Sequence, residues 1–307
     1  MVYMYTIELG KSGLSVPTIA VGCMRISNMN EKQVSAFVDT ALEKGANYFD
    51  HADIYGDGKS EVVFSKAITP SMRESIFIQT KCGIVKGKMF DFSYDHIIKS
   101  VDGSLKRLGT DYIDVLLLHR PDALMEPEEV ARAFGQLKET GKVRHFGVSN
   151  QNPYQMQLLQ NALDMPLCAN QLQFGIMHAP MIQAGINVNM YNESGIVRDG
   201  GVLDYCRLNK ITIQPWSPMQ YGFFEGVFVD NEKFPALNET LQRLGDQYSV
   251  SKTTMAMAWI LRHPAKMQPV TGTTNLTRLA DCLKASEIRI TREEWYEIYQ
   301  AAGNKLP

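Results

Sequence analysis

Residues 47–61 read Asn47-Tyr48-Phe49-Asp50-His51-Ala52-Asp53-Ile54-Tyr55-Gly56-Asp57-Gly58-Lys59-Ser60-Glu61. A short apolar run, Tyr48 and Phe49, follows a helical pattern that stops at Gly45, so it reads as a buried strand. The strand runs directly into Asp50, His51, Asp53 and Tyr55, which are poor choices for a core. Polar residues gathered just past the carboxyl end of a strand are where α/β folds place their chemistry.

Outward from this segment the same unit recurs. Upstream, Asn30 is placed to cap a helix whose apolar positions Val34, Phe37, Val38, Ala41 and Leu42 follow helical spacing. Before it, apolar runs at 5–9 and 16–20 flank Gly10, Ser12 and Gly13 as a β-hairpin, and the second run continues into Gly22, Cys23, Met24 and Arg25. Downstream, helices at 60–67, 94–108, 127–139, 153–161, 202–208 and a helical region at 235–263 alternate with strands at 76–79, 112–118, 143–148, 167–171, 211–215 and 267–271. A helix at 276–283 follows. Counted from the run at Val16, about eight strand-then-helix units emerge, the requirement of a (β/α)8 TIM barrel with an N-terminal hairpin across one end. A doubly wound sheet is the alternative. It is disfavoured because no strand precedes G-x-G-x-x-G and because polar candidates follow nearly every strand.

Bulk properties narrow the function. With 307 residues, 45% hydrophobic, 21% charged and a net charge of -2, the chain has no general attraction for nucleic acid or anionic membrane. No composition break divides residues 1–307, so one domain is expected. No apolar run approaches the roughly 18 residues of a membrane span. Glu8 and the lack of a basic leader argue against a signal peptide. The five cysteines (Cys23, Cys82, Cys168, Cys206, Cys282) contain no C-x-x-C pair, which suits reduced thiols in a cytoplasmic protein. Three long connections, 82–91, 174–201 and 217–234, follow strands and thus belong to the active-site end. The last carries Tyr221, Phe223, Phe224 and Phe228.

No H-E-x-x-H or G-x-S-x-G occurs, and residues 135–142 miss the P-loop spacing. Asp50, His51 and Asp53 beside His119 invite a metal-hydrolase reading, but the paired H-x-H near the first strand of many barrel hydrolases is missing, so no metal is expected. What remains is an acid–base set. A tyrosine serves as a general acid near neutral pH if a neighbouring ammonium lowers its pKa of about 10, and a carboxylate can hold that ammonium in place. Asp50, Tyr55 and Lys81 supply those three roles, and His119 adds a group able to orient a carbonyl.

The motifs Asp50-x-Ala52-x-x-Tyr55-Gly56 with Glu61, Lys81, Leu116-Leu117-Leu118-His119, Gly147-Val148-Ser149-Asn150 and Asn170-Gln171 occur in order. Trp216-Ser217-Pro218-Met219 and Gly272-Thr273-Thr274 through Arg278 follow. From about Gly22 to Leu283 the chain resembles the aldo-keto reductase superfamily. The resemblance implies a (β/α)8 barrel that binds NAD(P)H in extended form and reduces aldehydes or ketones to alcohols. It makes Tyr55 the proton donor, tuned by Lys81 and Asp50, with His119 orienting the carbonyl. It assigns Gly22, Cys23 and Met24 to the cofactor, and Ser149, Asn150 and Gln171 to its carboxamide. Trp216 becomes a platform for the nicotinamide, and the Ser217-Pro218-Met219 backbone lies along the pyrophosphate.

Gly272, Thr273, Thr274 and the helix that follows suit phosphate, and Arg278 suits the 2′-phosphate of NADPH, so NADPH is preferred to NADH. Asp281-Cys282 stand where the family commonly has Glu-Asn, which alters the expected adenine contacts. His51 replaces the family's usual small residue and reads as a packed ring. The competing reading is an NADPH-binding redox sensor or regulatory subunit on the same fold. The substrate and the oligomeric state are not legible.

Overall fold

The computed structural model describes residues 4–307. Eight parallel strands form its centre: β1 (Ala20–Gly22), β2 (Tyr48–Asp50), β3 (Phe77–Cys82), β4 (Ile113–Leu118), β5 (Val143–Ser149), β6 (Leu167–Gln173), β7 (Thr212–Trp216) and β8 (Val270–Thr271). They neighbour one another in chain order, and β8 returns to pair with β1. The ladder is interrupted only between β7 and β8. There one backbone hydrogen bond, Gln268 N–H to Ile213 O at 3.0 Å, and one side-chain bond, Gln214 to Gln268 at 2.8 Å, carry the closure. The expected α/β TIM barrel is the architecture found.

Strands buried on both faces must carry apolar residues on both, hence the unbroken Ile113-to-Leu118 run in β4. Outward residues of the strands meet the helices; Phe49, Leu116, Leu118, Phe146 and Val148 belong to that outer core. Helix starts follow the sequence closely. Asn30 and Asn152 each complete a capping box, with Gln33 and Gln155 respectively. Gly109, in the left-handed region, ends the Tyr94–Leu108 helix.

The expected strand at 16–20 divides in two. Ser15–Pro17 pairs with Thr6–Glu8 as the hairpin, and Ala20–Gly22 begins the barrel. The chain changes partner between them: Thr18 N–H still bonds Tyr5 O, whereas Ala20 N–H bonds Pro269 O. Leu9 and Val16 then sit in an apolar cluster with Ala20, Tyr48, Val115, Leu117, Cys168 and Ala169, so the hairpin fills the lower barrel. Gly10 permits this approach. It has a φ of +57°, and a Cβ there would stand 2.4 Å from Cys168 O.

Two further differences are local. The helical region at 235–263 is two helices, Pro235–Tyr248 and Lys252–Leu261, separated where Ser249 takes a left-handed φ of +54°. A last helix, Arg292–Ala301, goes beyond the sequence reading, although Thr291 and Glu294 form its capping box. It is locked on by a Trp259–Trp295 stack 4.8 Å apart, in which each indole N–H donates to the other residue's carbonyl. Among the described residues no helix is long and apolar enough to cross a membrane.

The three long connections sit at the carboxyl ends of β3, β6 and β7. Two contain small hairpins, Ile84–Val85 with Met89–Phe90 and Gln220–Tyr221 with Gly226–Val227. The third contains the helix Pro180–Ile186.

Candidate active site

Asp50 ends β2 in register with Gly22 of β1 and Gln79 of β3. The backbone keeps pairing beyond the strand, with His51 N–H on Gln79 O and Asp53 N–H on Lys81 O. It then reverses through Gly56, Asp57 and Gly58, all at positive φ, into the helix Lys59–Ser65. That reversal lifts Tyr55 to the barrel mouth. β3 runs three residues past its expected end, to Cys82, because β4 continues to pair with it on one side and the backbone beyond β2 keeps donating to it on the other. Lys81 is therefore inside the strand and wholly buried.

Lys81 Nζ lies 2.8 Å from both carboxylate oxygens of Asp50, 2.7 Å from His51 O and 3.1 Å from the Tyr55 hydroxyl. The Tyr55 and His119 rings meet edge to face at 5.9 Å. Burial alone would push the Lys81 ammonium toward neutrality; Asp50 and Tyr55 reverse this and hold its pKa above the ordinary lysine value. For Tyr55 the balance differs from the sequence expectation. Burial raises the phenol pKa, the Lys81 charge pulls it down, and the net result is upward. The environment that encloses the lysine also desolvates any phenolate. Tyr55 thus keeps its proton at neutral pH. His119 is held well below the usual imidazole range by burial, then by Lys81 and Arg120, so its ring is neutral. Its Nδ1 is buried without a partner.

Beneath Asp50 lies a glutamine cluster that the sequence reading did not find. Gln79 and Gln171 both donate to Asp50 Oδ1, at 2.5 and 3.1 Å, and both donate to Gln214 Oε1, at 3.0 and 3.3 Å. Gln214 donates to Gln268, which donates to Pro17 O of the N-terminal hairpin. Buried amides need such partners, and here their satisfaction fixes the carboxylate that receives Lys81. Alternating inward positions on neighbouring strands were the available signal.

His51 does not join this set. Its ring is fully buried, packs edge-on against Phe64 at 4.5 Å, and neither ring nitrogen has a partner. Burial, followed by the Lys81 charge, lowers its pKa to about 3. Among the described residues no three His, Cys, Asp or Glu side chains gather as metal ligands.

A cavity of about 410 Å³ opens above Asp50, Tyr55 and His119, and Gly22, Met24, Ser149, Asn150, Gln171, Trp216, Ser217 and Gly272 also line it. A second, of about 560 Å³, is lined by Ser217, Pro218, Met219, Gly272, Thr273, Thr274, Arg278, Asp281 and Cys282. The two share Arg25, Ser217, Thr271 and Gly272, and so form one bent groove. Of the residues singled out from the sequence, Lys81 and Cys23 line neither part. Lys81 sits behind Tyr55. Cys23 is buried in the outer core, its thiol pKa raised well above the ordinary value by burial and Asp50.

The two ends of the groove offer different groups to a ligand. Trp216 donates its indole N–H to Asn150 Oδ1 at 3.0 Å, Asn150 donates to Ser149 Oγ at 2.7 Å, and Ser149 donates to Gln171 O at 3.0 Å. This chain fixes the Trp216 ring, and Asn150 holds its left-handed φ of +58°, which asparagine tolerates. At the other end Asn275 caps the helix Leu276–Lys284 by accepting from Arg278 N–H at 2.9 Å, and its own N–H donates to Thr273 Oγ1 at 3.1 Å. Thr273, Thr274 and Arg278 line this end beside the first turn of that helix, a donor set suited to phosphate. Among the lining residues given no individual role from the sequence are Arg25, which bonds Gly272 O; Arg120; and Phe224, which lies parallel to Trp216 at 5.9 Å.

Residues 18–302 match the family model described as the aldo/keto reductase family. The chain is 33% identical to a 6-dehydroglucose reductase of Agrobacterium fabrum strain C58, over 95% of this chain and 96% of that one. It is 32% identical to the oxidoreductase YdhF of Escherichia coli K12, over 98% and 99%. Among solved structures, the thermostable aldo-keto reductase Tm1743, determined with the inhibitor epalrestat, superposes with a TM-score of 0.79 at 25% identity. That match covers 97% of this chain and 100% of the other.

Proposed function

The chain belongs to the aldo/keto reductase family, and on that premise we propose that it reduces the carbonyl of a small aldehyde or ketone with NADPH, Tyr55 giving the proton. One observation carries the reading: a protonated phenol at the cavity floor, bonded at 3.1 Å to a buried ammonium that Asp50 holds in place. NADPH, when bound, supplies the hydride to the carbonyl carbon.

The chain's own residues do the rest. Tyr55 donates its hydroxyl proton to the carbonyl oxygen as negative charge develops there, and the Lys81 ammonium stabilises the phenolate left behind. The raised resting pKa of Tyr55 keeps the proton available, and the adjacent cation limits the cost of giving it up. Neutral His119 offers a ring nitrogen to orient the carbonyl without competing as an acid. Trp216 carries the nicotinamide, with Ser149, Asn150 and Gln171 around its carboxamide. Arg25 and the Ser217–Met219 backbone follow the pyrophosphate. Thr273, Thr274 and Arg278 meet the adenosine phosphate, which is the ground for NADPH over NADH. We read the whole chain as a single cytoplasmic barrel unit.

The named relative places sugar-derived aldehydes first in a substrate panel. Loss of NADPH absorbance with such a panel above the aldehyde-free rate is the expected result. Consumption at background across all members contradicts the reading and favours a cofactor-binding sensor.

A further inference from the structure

Arg120 follows His119 at the top of β4, half-buried, and lines the cavity beside Tyr55 and Trp216. The other arginines withdrawn from solvent are paired. Arg73 lies 2.8 Å from Asp114, and Arg107 lies 2.7 Å from Glu61. Among the described residues Arg120 has no such partner, and burial lowers its pKa from the ordinary value. Its guanidinium carbon stands 5.6 Å from the Trp216 ring, near the roughly 6 Å limit of a cation–π contact, and such a contact uses none of its five N–H donors.

The cavity holds nothing to neutralise it. Among the described residues the one acidic side chain in the lining is Asp50, whose two oxygens are both taken by Lys81 at 2.8 Å. The other cation there, Arg25, is turned to Gly272 O at the junction of the groove. A partly desolvated, unpaired guanidinium is costly unless something brings it an anion. We propose that the preferred substrate is a carbonyl compound carrying an oxyanion, and that Arg120 is the residue that selects it. This rests on the carbonyl-reduction reading of the same cavity.

The test compares 4-carboxybenzaldehyde with its neutral isostere 4-nitrobenzaldehyde and with the neutral polyol D-glyceraldehyde, for wild type, Arg120→Met and Arg120→Lys. Binding of the unreactive dianion terephthalate to the NADPH-loaded protein is measured by calorimetry alongside. In Arg120→Met the ratio of kcat/KM for the carboxylate over the nitro compound should fall on the order of ten- to a hundredfold, mainly through KM. Terephthalate affinity should fall in step, and Arg120→Lys should keep part of both. An unchanged ratio overturns the proposal. So does an equal fall for glyceraldehyde, which makes Arg120 a general donor to oxygen, or a parallel loss of NADPH affinity, which makes it part of the cofactor site. If wild type reduces no aldehyde, yet terephthalate binding still depends on Arg120, the anion site stands and the reductase reading falls.

Discussion

The two ends of the groove solve opposite problems. Beneath Tyr55 the fully buried charges are already matched: the Lys81 ammonium is enclosed by Asp50, His51 O and Tyr55, and glutamines fix Asp50 from below. At the Arg278 end the donors are exposed, and among the described residues the Arg278 guanidinium meets no carboxylate. A buried charge needs its partners before any ligand arrives, because water is not there to solvate it. An exposed cation can wait for its ligand at little cost. Chemistry that demands fixed geometry belongs at the first end, and binding at the second.

The contrast predicts effects of different kind and size. Lys81→Met leaves the buried Asp50 without its counter-charge, so unfolding free energy should drop by about 3–5 kcal/mol, read from the urea midpoint at pH 7. A loss comparable to that of an exposed lysine would show the buried end to be less tightly coupled than its distances suggest.

Next in size is an acid effect centred on His51. Its folded pKa of about 3 lies below the unfolded value of 6.5, so the unfolded chain binds the proton first. Stability contributed by the neutral ring is present above pH 6.5 and drains away as pH falls toward 3. Near pH 5 the loss should be about 2 kcal/mol relative to pH 7. His51→Leu should reduce the loss along that limb of the urea-midpoint profile by about 2 kcal/mol and leave the share His119 contributes, and an unreduced limb would assign it to other groups.

The smallest effect belongs to the exposed end. Arg278→Ala should weaken NADPH about tenfold while leaving NADH nearly unaffected and the melting temperature in place. Fluorescence titration with both cofactors checks it, and equal weakening of the two removes Arg278 from the 2′-phosphate.

The same division explains what could be read in advance. Barrel helices and strands were legible because each has one dominant local signal. An asparagine cap, a left-handed glycine or a continuous apolar run survives without knowledge of the neighbours. The run at 16–20 misled because its apolar pattern is continuous while its partner changes from Tyr5 to Pro269. The residues proposed for the site are close in sequence or fall in ordered motifs. Apart from Gln171, the glutamine cluster is neither: Gln79, Gln214 and Gln268 meet it only when the barrel closes. The balance at Tyr55 was hidden for a related reason. Sequence supplied the lysine that lowers its pKa but not the enclosure that raises it. Arg120 carried no local signal, since its distinction is the partner it lacks.

The most direct measurement follows Tyr55→Phe through two readouts on the same preparation, NADPH affinity by fluorescence quenching and aldehyde reduction by absorbance. The phenol's role as proton donor predicts that reduction falls on the order of a hundred- to ten-thousandfold while NADPH affinity stays within about twofold. Turnover that persists near the wild-type rate, or affinity that collapses together with turnover, would contradict it.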